Sequence, residues 1–309
     1  MALPYEMFTA GYAATILTGT VAGLIFFVGL KNIKRGIILL NVRRNWILLM
    51  ILTALPLLLL LESRLTIMPD NDAQTLRNVS WMLEHGGDLI RYLQNRIESS
   101  IITDFFIFIY VWVFTFLIFF TPIYLLVKND TVLFKKYSFA VILNYLILLP
   151  FYLFLPVSVT SYAPETMLKP LLYIDTNWGM LVTSMDPLDN DFPSGHISIL
   201  LTTLLIMASS YHHRKYTHFV MWGLIAITFA ILYLGIHWIM DVIGGIALAV
   251  VAVLIVMNTK LLDIRFPKLR LRSAEEMPSE SSDELEDRRA ENLDSSSPAD
   301  QIRRFFRRI

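Results

Sequence analysis

The sequence predicts an all-α protein, a polytopic membrane helical bundle of about seven transmembrane helices. Three observations predict it. The 309 residues are 55% hydrophobic and 17% charged, with a mean hydropathy of +0.57, too apolar for a domain whose surface is wetted by water. Apolar runs recur at lengths near the roughly 20 residues that carry a helix across about 30 Å of hydrocarbon, where only a helix or a closed barrel satisfies its own backbone. Most of the charges lie between those runs or after the last one.

In chain order the runs are Phe8 to Leu30, Trp46 to Leu61, Phe105 to Val127, Tyr137 to Leu155, Ile197 to Tyr211, Phe219 to Ile236 and Trp238 to Met257. The first follows Glu6 rather than a basic segment and exceeds the roughly 7 to 15 residues of a signal-peptide core, so it reads as a retained span. The second and fifth are near the minimum length, and either tilt little or are extended by interfacial residues such as Arg64 or Phe192.

Orientation follows from Lys and Arg, which hold short loops on the cytoplasmic side. One set of loops carries Lys31, Lys34, Arg35, Arg43 and Arg44, then Lys128, Lys135 and Lys136, then Arg214 and Lys215; Lys260, Arg265, Lys268, Arg270 and Arg272 continue it after the last run. The other set is mixed or acidic, and Pro156 to His196 offers only Lys169 against Glu165, Asp175, Asp186, Asp189 and Asp191. The expected N-terminus is outside and the C-terminus cytoplasmic. Between the second and third runs, Leu76, Val79, Leu83, Ile90, Leu93 and Ile97 approach a helical period interrupted by Gly86-Gly87, which predicts two short surface helices covering the membrane core. From Ser273 to Asp300 the chain is acidic and Ser/Pro-rich, a composition expected to stay disordered. The terminal Ile302 to Ile309, with four arginines, reads equally as a contact to an anionic leaflet and as a solvated tail.

A net charge of zero predicts no nucleic-acid partner, and the absence of cysteine excludes disulfides, thiolate metal sites and a thiol nucleophile. The chemistry rests on two motifs. Asp191-Phe192-Pro193-Ser194-Gly195-His196 stands directly before the fifth run. Ser194 suits a helix N-cap, and Gly195 exposes backbone N–H groups at a helix start that favours an anion. His196 beside that anion suits general acid catalysis near neutral pH. Alone, the motif reads as well as a plain helix start with an interfacial histidine.

Gly235-Ile236-His237-Trp238-Ile239-Met240-Asp241 joins the sixth and seventh runs, and Val242-Ile243-Gly244-Gly245 follows. His237 and Asp241, four apart, share a helical face, so the carboxylate can accept one ring N–H and raise the nucleophilicity of the other nitrogen. Gly244 and Gly245 read as close-packing positions. Because the fifth and sixth runs form one hairpin, both motifs fall at the same end, which the Lys and Arg distribution independently places outside. His196, His237 and Asp241 also compose a known zinc set, but the Pro-Ser-Gly segment serves phosphate and not a metal. No metal and no cofactor is expected.

Pro-Ser-Gly-His and His-x-x-x-Asp, one helical hairpin apart, resemble the type 2 phosphatidic acid phosphatase superfamily, which also includes vanadium haloperoxidases. The resemblance covers roughly Tyr137 to Met257. It implies a phosphatase-type core over about residues 101–258 within a transmembrane domain of residues 1–258, followed by a cytoplasmic tail, 259–309. By resemblance, His237 is the nucleophile that forms a phosphohistidine, Asp241 orients it, His196 protonates the leaving group, and Ser194 and Gly195 bind phosphate. The implied activity is that of a metal-independent lipid phosphatase acting on a lipid phosphomonoester at the extracytoplasmic face, and the expected membrane is the plasma membrane. The implied partners are the lipid phosphate substrate and the bilayer; the sequence is silent on oligomeric state.

Two departures concern positive charge. The family's Ser-Arg before the second histidine is replaced by Ala230 and Ile231, and its Lys-x6-Arg-Pro motif is missing. Lys169, followed by Pro170, is a candidate phosphate-binding cation in their place, or else an interfacial anchor. Loss of the arginines resembles the inositol phosphorylceramide and sphingomyelin synthases, lipid phospho-head-group transferases whose diester substrates carry less charge. A reading from another class is a transporter or structural protein, but Asp104, His196, His237 and Asp241 all fall near run ends, and the mid-run Asn144 is neutral.

Overall fold

The computed structural model describes residues 4–62, 80–82, 87–155, 157–163, 166–173, 176–184, 188 and 190–259. The expected tail beyond residue 259, and Leu76, Val79 and Leu83 of the surface segment, lie outside them. The described residues form helices and connecting loops, with one isolated parallel bridge between Val157 and Asn190. The helices are α1 (Tyr5–Phe27), α2 (Arg35–Glu62), α3 (Gly87–Ile97), α4 (Ser100–Val127), α5 (Thr131–Phe154), α6 (Thr176–Thr183), α7 (Gly195–Ala208), α8 (Arg214–Tyr233) and α9 (Ile239–Asn258). All seven expected runs fold as helices. Six, namely α1, α2, α4, α5, α8 and α9, are long and apolar enough to cross a membrane, and the chain is an integral membrane protein.

The exception is α7, whose 14 residues rise roughly 21 Å, short of the hydrocarbon thickness. It tolerates this because lipid is not its surroundings: α9, α8 and α5 all pack against it, and nearly every residue from His196 to Ala208 is buried. Its polar Thr202 is satisfied inside the bundle, receiving the Asn144 amide of α5 at 2.8 Å. The shortest run is therefore the hub of the fold.

The second span begins earlier than its apolar run, at Arg35 rather than Trp46. Asn41 and Asn45 are buried there; the Asn41 amide donates to Leu126 O at 2.8 Å and to Asn129 Oδ1 at 2.9 Å, and that of Asn45 donates to Asn41 O at 2.9 Å. With the amide N–H groups of Asn41 and Asn45 both donating, this stretch continues as helix, kinked at Asn45 (φ −116°, ψ 18°).

At the end opposite both histidine motifs, Asp130 caps α5 by accepting Leu133 N–H at 3.1 Å. Its Oδ2 meets His213 Nε2 at 3.0 Å, and His213 Nδ1 meets Tyr124 Oη at 2.9 Å. This buried relay ties the α4–α5 turn to the α7–α8 turn. His213→Ala leaves buried partners unsatisfied and is expected to cost about 1–3 kcal/mol of stability, with turnover unchanged; thermal unfolding and an activity assay check both halves.

Candidate active site

The loops that carry the two motifs are held together by a backbone strap. On one side Val159 N donates to Leu188 O at 2.9 Å, and Asp191 N donates to Val157 O at 3.2 Å; on the other, Thr160 N donates to Ile236 O at 3.1 Å and Ser161 N to Gly235 O at 2.9 Å. The Trp238 indole N–H adds a bond to Ser158 O at 3.0 Å. Gly235 takes φ +74°, and a Cβ there would lie 2.9 Å from Ser161 Cβ, so only glycine fits the turn beneath the strap. Two residues later, His237 N donates to Ile231 O at 3.2 Å, which aims its side chain back toward α7.

Ser194 caps α7, its Oγ accepting Ile197 N–H at 3.4 Å, while its own N–H donates to Asp241 O at 3.0 Å. That bond docks α7 on the start of α9, and the glycines make room for it. A Cβ on Gly245 would lie 2.7 Å from Ser194 O, and one on Gly244 would lie 2.9 Å from Phe192 and Pro193. Both therefore are close-packing positions, as expected.

The docking brings His196, His237 and Asp241 into a line. His196 Nδ1 lies 3.2 Å from His237 Nε2, and His237 Nδ1 lies 3.3 Å from Asp241 Oδ2. All three are buried. Because the Nδ1 side of His237 faces carboxylate, the proton belongs there, leaving the Nε2 lone pair toward His196. Burial pushes the His237 pKa down from 6.5 to about 3, against a smaller upward pull from its hydrogen bond to the Asp191 backbone, so the imidazole is neutral near pH 7. The unfolded chain then binds more protons below pH 6.5, and stability falls as the pH drops from about 6.5 toward 3. Thermal unfolding across that window is expected to show this slope, and His237→Gln is expected to flatten it.

The histidine pair opens on a cavity of about 340 Å³ lined by Gly195, His196 and His237 and by mainly apolar side chains of α4, α5 and α7. Several of those residues carry no motif. A π-helical turn at Ile109–Val113 interrupts α4, an irregularity common near functional sites. Tyr110 within it and Phe114 after it pack on the His196 ring with centroids 4.9 and 4.3 Å away. The Tyr152 hydroxyl donates to Pro193 O at 3.3 Å and sits where a Cβ on Gly195 would come within 2.9 Å. Among the described residues, no lysine or arginine lines the cavity.

Lys169 lies elsewhere. Its ammonium pairs with Glu98 Oε1 and Oε2 at 2.8 and 2.7 Å, with 59% of its side chain exposed. Its backbone is gripped by the buried Gln94 of α3, whose amide accepts Lys169 N–H at 3.0 Å and donates to Lys169 O at 3.1 Å and Tyr233 O at 2.9 Å. The surface helix is thus buckled to the end of α8, four residues before His237. For a metal, the compatible spacing is offered by Asp191, His237 and Asp241, with ligand atoms within 4.8 Å of one another; Asp191 stands where the sequence suggested His196.

Residues 133–263 match the family model described as PAP2 superfamily. This stretch, which contains both motifs, is similar to the type 2 phosphatidic acid phosphatase superfamily. No curated protein and no solved structure matches the chain significantly. That superfamily comprises phosphatases and phosphotransferases, and the match supports a phosphatase-type function on lipids for this integral membrane protein.

Proposed function

We propose that the chain is a membrane lipid phosphatase that acts on a lipid phosphomonoester through a phosphohistidine on His237. The observation that carries this reading is the line from His196 Nδ1 to His237 Nε2 at 3.2 Å and from His237 Nδ1 to Asp241 Oδ2 at 3.3 Å, on the wall of a largely apolar cavity. The neutral His237 presents its Nε2 lone pair to phosphorus, and Asp241 holds the ring and balances the charge it acquires. Protonated His196 gives its proton to the departing lipid oxygen, and water then releases phosphate from His237. The start of α7, with Gly195 at the cavity, presents backbone N–H groups to the phosphoryl oxygens. The apolar wall suits the lipid chain. Loops rich in Lys and Arg at the opposite end of the bundle support an extracytoplasmic site, and the reading sets the protein in the plasma membrane.

One observation favours a second reading, head-group transfer between lipids. Among the described residues the cavity lining holds no lysine or arginine, and Lys169 is ion-paired with Glu98. A phosphodiester carries one negative charge where a monoester carries nearly two, so its transfer demands less cationic stabilisation. Product analysis with a panel of phosphomonoester and phosphodiester lipids, with and without vanadate, separates the two. The phosphatase reading expects vanadate-sensitive release of inorganic phosphate from a monoester; head-group exchange between diesters with no phosphate release refutes it.

A further inference from the structure

The ring of His237 has a second acidic neighbour, the Asp191 that opens the first motif. Asp191 is 3% exposed, and its Oδ1 lies 3.7 Å from His237 Nδ1. Asp241 Oδ2 is closer at 3.3 Å, but it is shared: it also accepts the Trp238 backbone N–H at 2.7 Å, fixing the start of α9. One oxygen thus serves a helix terminus and an imidazole, and the shorter contact belongs to the helix. Asp191 is positioned independently, through the bond from its own N–H to Val157 O at 3.2 Å in the strap. The ionisable groups facing the ring are Asp191 from the loop before α7, His196 from α7 and Asp241 from α9.

We propose that Asp191 is a positioning residue for His237, a second carboxylate that stabilises the cationic ring formed when Nε2 is bonded to phosphorus. The proposal rests on His237 being the nucleophile. In the first step the Nε2 lone pair forms the N–P bond as the ester P–O bond breaks, and the leaving oxygen takes that bonding pair and the proton of protonated His196. The ring keeps its Nδ1–H and so becomes positive. In the second step water forms a new P–O bond, gives a proton back to His196, and the N–P pair returns to Nε2. Between the steps a buried cation stands 3.7 Å from Asp191, a distance at which charge attraction is strong in a low-dielectric interior without a hydrogen bond.

The test uses the full chain in nanodiscs with orthovanadate as the probe, because vanadate reports on the site without knowledge of the lipid. Affinity is measured from pH 5.5 to 8.5 for wild type, Asp191→Asn, Asp191→Glu and His237→Ala. Asp191→Asn is expected to bind about tenfold more weakly, and Asp191→Glu, which keeps the charge, to recover most of the loss. The ¹⁵N resonance of His237 Nδ1 is expected to move on vanadate binding in wild type and to move differently in Asp191→Asn. If His237→Ala binds vanadate as wild type does, the nucleophile assignment fails and the proposal with it. If His237→Ala loses binding while folded Asp191→Asn matches wild type across the pH range, the role of Asp191 alone is overturned. Should Asp191→Asn not fold, the glutamate variant decides: a folded Asp191→Glu with wild-type melting but vanadate affinity lowered tenfold or more contradicts a charge-based role, and near-wild-type affinity supports it.

Discussion

Replacing His237 with alanine is expected to lower turnover of a lipid phosphate substrate by at least about 10⁴-fold, the scale seen when a covalent nucleophile is removed. The protein should still fold. His237 is buried and neutral, and the contacts that build the loop around it are backbone bonds: Ser161 to Gly235, Thr160 to Ile236, and His237 N–H to Ile231 O. None of these needs the imidazole. Thermal unfolding and gel filtration check the fold, and turnover on the preferred lipid checks the chemistry. A folded variant with turnover within tenfold of wild type would remove the proposed mechanism.

Asp241 is expected to fail in two separable ways. Asp241→Ala deletes the acceptor for the Trp238 N–H and the partner of His237 Nδ1 together. The first loss leaves a buried donor unsatisfied and costs about 1–3 kcal/mol; the second lets the imidazole turn and removes its counter-charge, which in comparable triads lowers turnover by about 10³ to 10⁴. Asp241→Asn keeps a side-chain oxygen for Trp238 but loses the charge. It is expected to melt near wild type and still show most of the kinetic defect, in kcat more than in KM. Equal losses of stability in both variants, with kinetics following the folded fraction, would make Asp241 a helix cap alone.

The membrane helices were legible because hydrocarbon demands long apolar runs whatever the tertiary contacts. The start of α2 was not, since Asn41 and Asn45 look like loop residues until Leu126 O and Asn129 are found beside them. Residues far apart in sequence settle that helix. The convergence of His196 with His237 and Asp241 could be read from the parity of one hairpin and the four-residue spacing, both local facts. Other parts of the site had no local signal. The 157–161 strap works through backbone groups that every residue possesses, and Tyr110 and Phe114 reach His196 by way of a π turn that no residue pattern announced. Lys169 shows the complementary limit. Its position in sequence suggested a cation for phosphate, but the direction of a long side chain is a tertiary property, and here the ammonium pairs with Glu98. Asp191 opens the first motif without a role that its position announces, and only the fold places it on the ring of His237.

The most direct test of the proposed chemistry is to trap the intermediate. Wild-type protein mixed with its lipid substrate is quenched in alkali, where phosphohistidine survives, digested and examined by mass spectrometry. The account predicts a phosphoryl group on the peptide containing His237, absent from His237→Ala, with a phospho-head group in its place if the substrate is a diester. Rapid turnover with no adduct on His237 under conditions that preserve a phosphohistidine standard, or an adduct on His196 instead, would contradict it.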